Sequence, residues 1–286
     1  MGVLVCRPGG GVWAAEDAAG RAVSIDCPFA WPCVPCVSRD CAALCCLQSR
    51  ECLCVDRKGW EPRCLMPCVP GVCDMRFSLC GQYLYQLSSE ADTIHTRCAA
   101  TGELLYAAPA GVFPRCMKMH ASGKLLLCAG GAVNEAVLMN APELTAVRII
   151  ETGHPCFAAD FYKDGLVLVC AAEGHDIQTI VYVLSARDVR PREVLSAPGA
   201  PGGLCVCPDG RCALLSTWNG LMKLNLLTGA VLWNRPEWAL CMRIECRGLQ
   251  ALISDTLDGS VWLVNHIHPW ERQLLDSHRD AQACFL

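Results

Sequence analysis

Cysteine offers this chain most of its chemistry: 24 of 286 residues are cysteine, and twelve of them fall between Cys27 and Cys80. That stretch holds Cys33-x-x-Cys36, Cys45-Cys46, Cys52-x-Cys54 and Cys64-x3-Cys68. A C-x2-C pair is the usual half of a zinc knuckle and also the spacing of redox-active dithiols, which makes Cys33 and Cys36 the candidate metal or redox pair. No second half at matching spacing stands outside an expected strand. Along a strand, Cys52 and Cys54 share one face while Cys45 and Cys46 point to opposite faces. Reduced thiols packing as small, polarisable hydrophobes account for most of the cluster, and no cofactor is expected.

The other chemistry-bearing residues are scattered. His154 precedes Pro155, Glu173 and His175 share a polar loop, and His266-x-His268 has a one-face spacing in a strand but no acid nearby, so it reads as a turn. Arg7, Trp31, Arg115, Trp218, Asn219, Trp238 and Asp258 sit at loop-like positions. The chain lacks G-x-S-x-G, G-x-x-x-x-G-K-[ST], H-E-x-x-H and C-x-x-C-H. Lys plus Arg (24) and Asp plus Glu (28) leave a formal net charge of −4 without a basic cluster, which argues against nucleic acid as a partner. No window approaches 18 consecutive apolar residues, so no membrane association is expected. The segment from Met1 to Trp13 lacks the basic n-region of a signal peptide, and the expected compartment is the cytoplasm, where thiols stay reduced.

What positions these residues is a repeat. Its clearest copy runs from Gly202 to Leu232, where Asp209-Gly210, Asn219-Gly220 and Thr228-Gly229 divide apolar runs into four short strands. The same grammar recurs around Asp258-Gly259, Asp164-Gly165, Ser122-Gly123 and Gly81, and most degenerately in Pro35 to Val55. Cys36, Cys73, Cys116, Cys156, Cys205, Cys241 and Cys284 mark the first strands at intervals of roughly 36 to 49 residues, the period of a four-stranded propeller blade. After Cys284 only one strand fits before the chain ends, and Gly2–Cys6, Gly11–Ala14 and Arg21–Ile25 supply the missing three. The expected fold is therefore all-β: a single seven-bladed β-propeller over 1–286, with blades at about 31–68, 69–110, 111–152, 153–198, 199–236 and 237–275. A split blade of 276–286 plus 1–30 closes the ring and removes an exposed seam. A second series, Cys6, Cys46, Gln86, Cys128, Cys170, Ser216 and Ser254, falls near the ends of second strands. Cysteine and serine trading places there points to a requirement for a small side chain.

The copy LCVCPDGRCALLSTWNGLMKLNLLTGAVL, from Leu204 to Leu232, resembles the YVTN-type propeller repeat, with its small-residue inner strand, PDG turn, apolar second strand and T-G turn. Six copies across 31–275 resemble it with declining clarity, and cysteine stands where that family usually has alanine, valine or serine. The wider quinoprotein-like and WD-repeat-like group contains binding platforms, surface-layer proteins, lactonases and redox-cofactor carriers. His154-Pro155 with Glu173 is similar to the H-P and N-E elements of lactonase-type propellers, which implies a hydrolase as one alternative. A metal- or redox-responsive thiol protein is another. The leading expectation is a non-catalytic binding or scaffold module engaging a protein partner through one face. In a propeller, loops between blades share an end with the second-to-third-strand turns. That end is expected to display Trp31, Arg115, His154, Glu173, His175, Trp218 and Trp238 around the channel mouth, with Arg7, Asn219 and Asp258 beside them.

Overall fold

The computed structural model describes residues 3–7, 11–15, 22–25, 27, 32–46, 49–130, 134–163, 165–185, 188, 190–254, 259–276 and 282–285. Among the described residues, strands form seven four-stranded antiparallel sheets, six of them meanders of strands consecutive in sequence. Their innermost strands are Pro32–Val37, Val72–Phe77, Pro114–Met119, Cys156–Tyr162, Pro201–Val206, Arg243–Arg247 and Gln282–Phe285. Each sheet is named below by the first residue of that strand. The last is shared between the two ends of the chain: Gln282–Phe285 pairs with Val3–Arg7 in the register Val3↔Phe285 and Cys6↔Gln282, followed by Gly11–Ala15 and Ala22–Ile25. Each innermost strand packs against the next, and Gln282–Phe285 touches both Arg243–Arg247 and Pro32–Val37, so the series closes on itself around a channel. The chain is a β-propeller.

Strand sequence explains the radial gradient of burial. Second strands such as Cys212–Thr217 (CALLST) are apolar or small throughout and buried at every position, because neighbouring blades cover both of their faces. Fourth strands such as Leu104–Pro109 form the outer edge and are largely exposed. The hydrophobic clusters lie between blades: Ala158, Val167 and Val181 pack on Leu204, Ala213 and Leu215 of the next sheet. Space there is tight enough that a Cβ on Gly203 would sit 2.7 Å from the Met242 carbonyl oxygen.

The marker cysteines occupy this inter-blade space, but Cys241 does not lie in a strand. The innermost strand of its sheet is Arg243–Arg247, and the expected Leu240-Cys241-Met242 strand is a connecting segment. Its polar groups are committed to the preceding blade: Cys241 N donates to Ser216 Oγ (2.7 Å), Leu240 N to the Thr217 carbonyl (2.9 Å), and Gly203 N to the Cys241 carbonyl (2.8 Å). Ser216 and Ser254 are therefore more than small. Ser254 Oγ likewise accepts from Ala283 N (3.3 Å), so both hydroxyls stitch one blade to the next.

Candidate binding site at the channel mouth

Four of the innermost strands bring charged side chains to the channel, and in two of them, Asp74/Arg76 and Arg243/Glu245, the charges lie two apart and so share a face. Asp74 and Arg76 come from the Val72 blade, Lys118 from the Pro114 blade, Asp160 from the Cys156 blade, and Arg243 and Glu245 from the Arg243 blade. Glu245 Oε1 accepts from Arg76 (2.9 Å) and Arg243 (3.3 Å), and Lys118 Nζ lies 3.7 Å from Asp160 Oδ2. The Val72 and Arg243 blades are not neighbours, so the Arg76–Glu245 pair crosses the channel and plugs it.

The carboxylates also clamp the blades together. Met117 N donates to Asp74 Oδ2 (2.9 Å) and Val206 N to Asp160 Oδ2 (2.9 Å), each from the next blade's innermost strand. Phe285 N donates to Glu245 Oε2 (3.2 Å), and Val34 N to Gln282 Oε1 (2.9 Å). Burial by itself would push the Glu245 carboxyl up, but the Arg76 and Arg243 guanidiniums outweigh it and hold the group at about 2. Burial would likewise lower Lys118, and the Asp160 carboxylate overcomes it, so the ammonium stays charged.

Above this belt the channel opens into a cavity of about 370 Å3. Arg76, Lys118 and Arg243 line it below; Phe113, Arg115, Phe157 and Met242 line it near the mouth. The Arg115 guanidinium stacks over the Phe157 ring, 5.0 Å from its centroid, a cation–π contact. Phe113 and Met242 lie on loops that enter innermost strands. Trp218 and Ile177 lie on second-to-third-strand turns at the same end, and all four side chains are exposed, Trp218 at 62% and Phe113 at 57%.

The residues expected at this mouth have different fates. Arg115 and Trp218 stand there exposed. Asn219 is also exposed, with its amide donating to the Pro198 carbonyl (2.9 Å). His154 is half-buried and Glu173 and His175 are exposed, yet none of the three lines the cavity, so His154 and Glu173 do not meet a channel arginine there. Trp238 is not displayed. It is 2% exposed in a 3-10 turn, Pro236–Trp238, packed 6.1 Å from the Trp262 ring and 5.3 Å from the Arg272 guanidinium. Trp31 and Asp258 lie outside the described residues, as does the side chain of Arg7.

The candidate dithiol is also divided: Cys36 is buried, pushed up by that burial, while the side chain of Cys33 lies outside the described residues. The thiols that do meet are a row in the Pro32 blade. Cys45 faces Cys52 and Cys54 faces Cys64 across paired strands, and Cys68 stands beside Cys45 and Cys52. Side-chain hydrogen bonding with Cys52 and Cys64 pulls Cys54 down, and with Cys45 and Cys52 pulls Cys68 down. Cys52 and Cys64, bonded to Cys54, are pushed up. Among the described residues no group of three or more His, Cys, Asp or Glu side chains is placed to hold a metal ion.

His266 and His268 part company in the structure, one buried and one exposed. Lys223 Nζ lies 3.2 Å from His266 Nδ1 and donates to the His266 carbonyl (3.1 Å), while His266 Nε2 lies 2.9 Å from the Gly248 carbonyl. The Nε2–H tautomer satisfies both contacts, since Nδ1 then accepts from the ammonium. The pair joins the Pro201 and Arg243 blades at the end opposite the mouth.

These features define a β-propeller whose channel is plugged by its own ion pairs and opens at one end into a cationic cup with an apolar lip. No protein-family model matches the chain, and no curated protein sequence matches it. Among solved structures, 1307 chains are similar, a breadth that speaks to architecture alone. One is Kuenenia stuttgartiensis hydrazine synthase, with a TM-score of 0.73 over 90% of each chain at 11% identity, a likeness of fold.

Proposed function

We propose that the seven sheets are the blades of one YVTN-like ring, and that the chain is a non-catalytic module binding a protein partner through the channel-mouth face. The observation that carries this reading is the set of exposed Phe113, Ile177, Trp218 and Met242 on loops of four successive blades at that end. Large apolar and aromatic side chains on loops held by a rigid scaffold are common anchors of protein interfaces. The opposite end also exposes Leu79, Leu227, Leu249, Ile267 and Trp270, three of them on third-to-fourth-strand turns, the outermost of a blade, and Leu79 and Leu249 on first-to-second-strand turns. Phe113 and Met242, in contrast, border the cavity, which gives a partner a concave surface to fill.

The test replaces Phe113 and Trp218 together with serine, and Leu249 and Trp270 together as the opposite-end control. A partner purified with the parent chain is expected to bind the mouth variant at least tenfold more weakly, on the order of the loss for truncating one anchor residue. Undiminished binding by the mouth variant, with loss in the control, overturns the assignment.

A further inference from the structure

We propose that the cup behind the mouth is a binding site for a small organic oxyanion, a carboxylate or phosphate joined to an apolar or aromatic body. This goes beyond the protein-partner reading and stands without it. Four cations, Arg76, Arg115, Lys118 and Arg243, line the cavity against a single carboxylate, Asp74. Both Asp74 oxygens already accept backbone N–H groups, from Met75 and Met117. Asp160 and Glu245 are outside the lining, their oxygens engaged by backbone N–H groups and by the cations of the belt. With Arg76, Lys118 and Arg243 paired to Asp74, Asp160 and Glu245, the group keeps one net positive charge, that of Arg115, in a recess whose low-dielectric walls strengthen its field.

Donor capacity is also left over. Arg76 Nε and Arg243 Nε are buried and make no hydrogen bond among the described residues, Arg76 Nε lying 3.6 Å from Asp74 Oδ1, and Arg115 makes no ion pair there. The contact Arg115 does make, with the Phe157 ring, holds its guanidinium beside the opening. Phe113, Phe157 and Met242 give the lip an apolar character that suits the body of the ligand rather than its charge. The volume of about 370 Å3 lies near the lower end of small-molecule pockets, about 300–1,000 Å3, which favours a single-ring ligand over a dinucleotide.

The probes are phenyl phosphate and benzoate, which separate the two oxyanions, inorganic phosphate, which lacks the apolar body, and benzyl alcohol, which lacks the charge. Each is titrated calorimetrically into the full chain in low-salt, phosphate-free buffer. Saturable one-to-one binding of phenyl phosphate or benzoate, tighter than inorganic phosphate and absent for benzyl alcohol, is the expected result. Arg115→Gln is expected to weaken that binding about tenfold or more, as loss of one charge-assisted hydrogen bond would. Arg115 is exposed, so the variant is expected to fold, and a thermal midpoint matching the parent checks this. The proposal is overturned if neither aryl anion binds saturably at millimolar concentration, if benzyl alcohol binds as well, or if Arg115→Gln binds like the parent. The partner assay with the Phe113 and Trp218 variant is independent of all these outcomes.

Discussion

The charged belt across the channel and the thiol row of the Pro32 blade are both buried arrays of titratable groups, yet they hold the fold in opposite ways. In the belt each charge depends on a partner, frequently on another blade, as Arg76 on the Val72 blade depends on Glu245. In the row, Cys45, Cys52 and Cys54 pack against Met66 and Met75 in one apolar cluster, and their mutual S–H contacts add little to that packing. Losing a belt member strands a buried charge, whereas losing a thiol leaves a small void.

The largest effect expected from that contrast is in Glu245→Ala. It leaves the Arg76 and Arg243 guanidiniums without their shared carboxylate, and unfolding in urea should show a loss of about 3 kcal/mol or more. Cys52→Ala should cost only about 1 to 2 kcal/mol, and equal losses would break the comparison. Acid should reproduce the belt effect in the parent chain. With a carboxyl held at about 2 in the fold against about 4.3 unfolded, Glu245 contributes its stability above the unfolded value, and loses it as pH falls through that window. The difference in urea midpoint between the parent and Glu245→Gln should therefore shrink between about pH 4.5 and pH 2.

A smaller effect separates size from hydrogen bonding at the blade seams. Ser216→Cys keeps a small side chain but weakens the acceptor for Cys241 N, and should cost about 1 kcal/mol. No loss would return that position to a simple demand for size. Smallest in energy, but a sharp test of burial, is thiol labelling. Cys80 is exposed, and its hydrogen bond with the Ser78 hydroxyl lowers its pKa, so it should be alkylated first at neutral pH. Mass spectrometry should find Cys52 and Cys54 modified only on the timescale of unfolding.

The ring was readable in the sequence because its cues are local. Asp209-Gly210, Asn219-Gly220 and Thr228-Gly229 each encode a turn by themselves, and the leftover strand at Cys284 required partners from the other end of the chain. The site was less readable because it is assembled from strands far apart in sequence. Arg76 and Glu245 are 169 residues apart, and only the charges two apart in Asp74-Met75-Arg76 and Arg243-Ile244-Glu245 signalled a polar channel face. The tryptophans show the same limit. Trp218 precedes Asn219-Gly220 in a tight turn that must project it, whereas nothing next to Trp238 in sequence announces Trp262 and Arg272, which bury it.

The most direct test of the mouth as the binding face is a photo-crosslinking residue placed at position 218 in one variant and at position 249 in another. Crosslinking to the partner from 218, competed away by unlabelled parent chain but not by the Phe113 and Trp218 double variant, is the predicted result. Efficient crosslinking from 249 with none from 218 would contradict it.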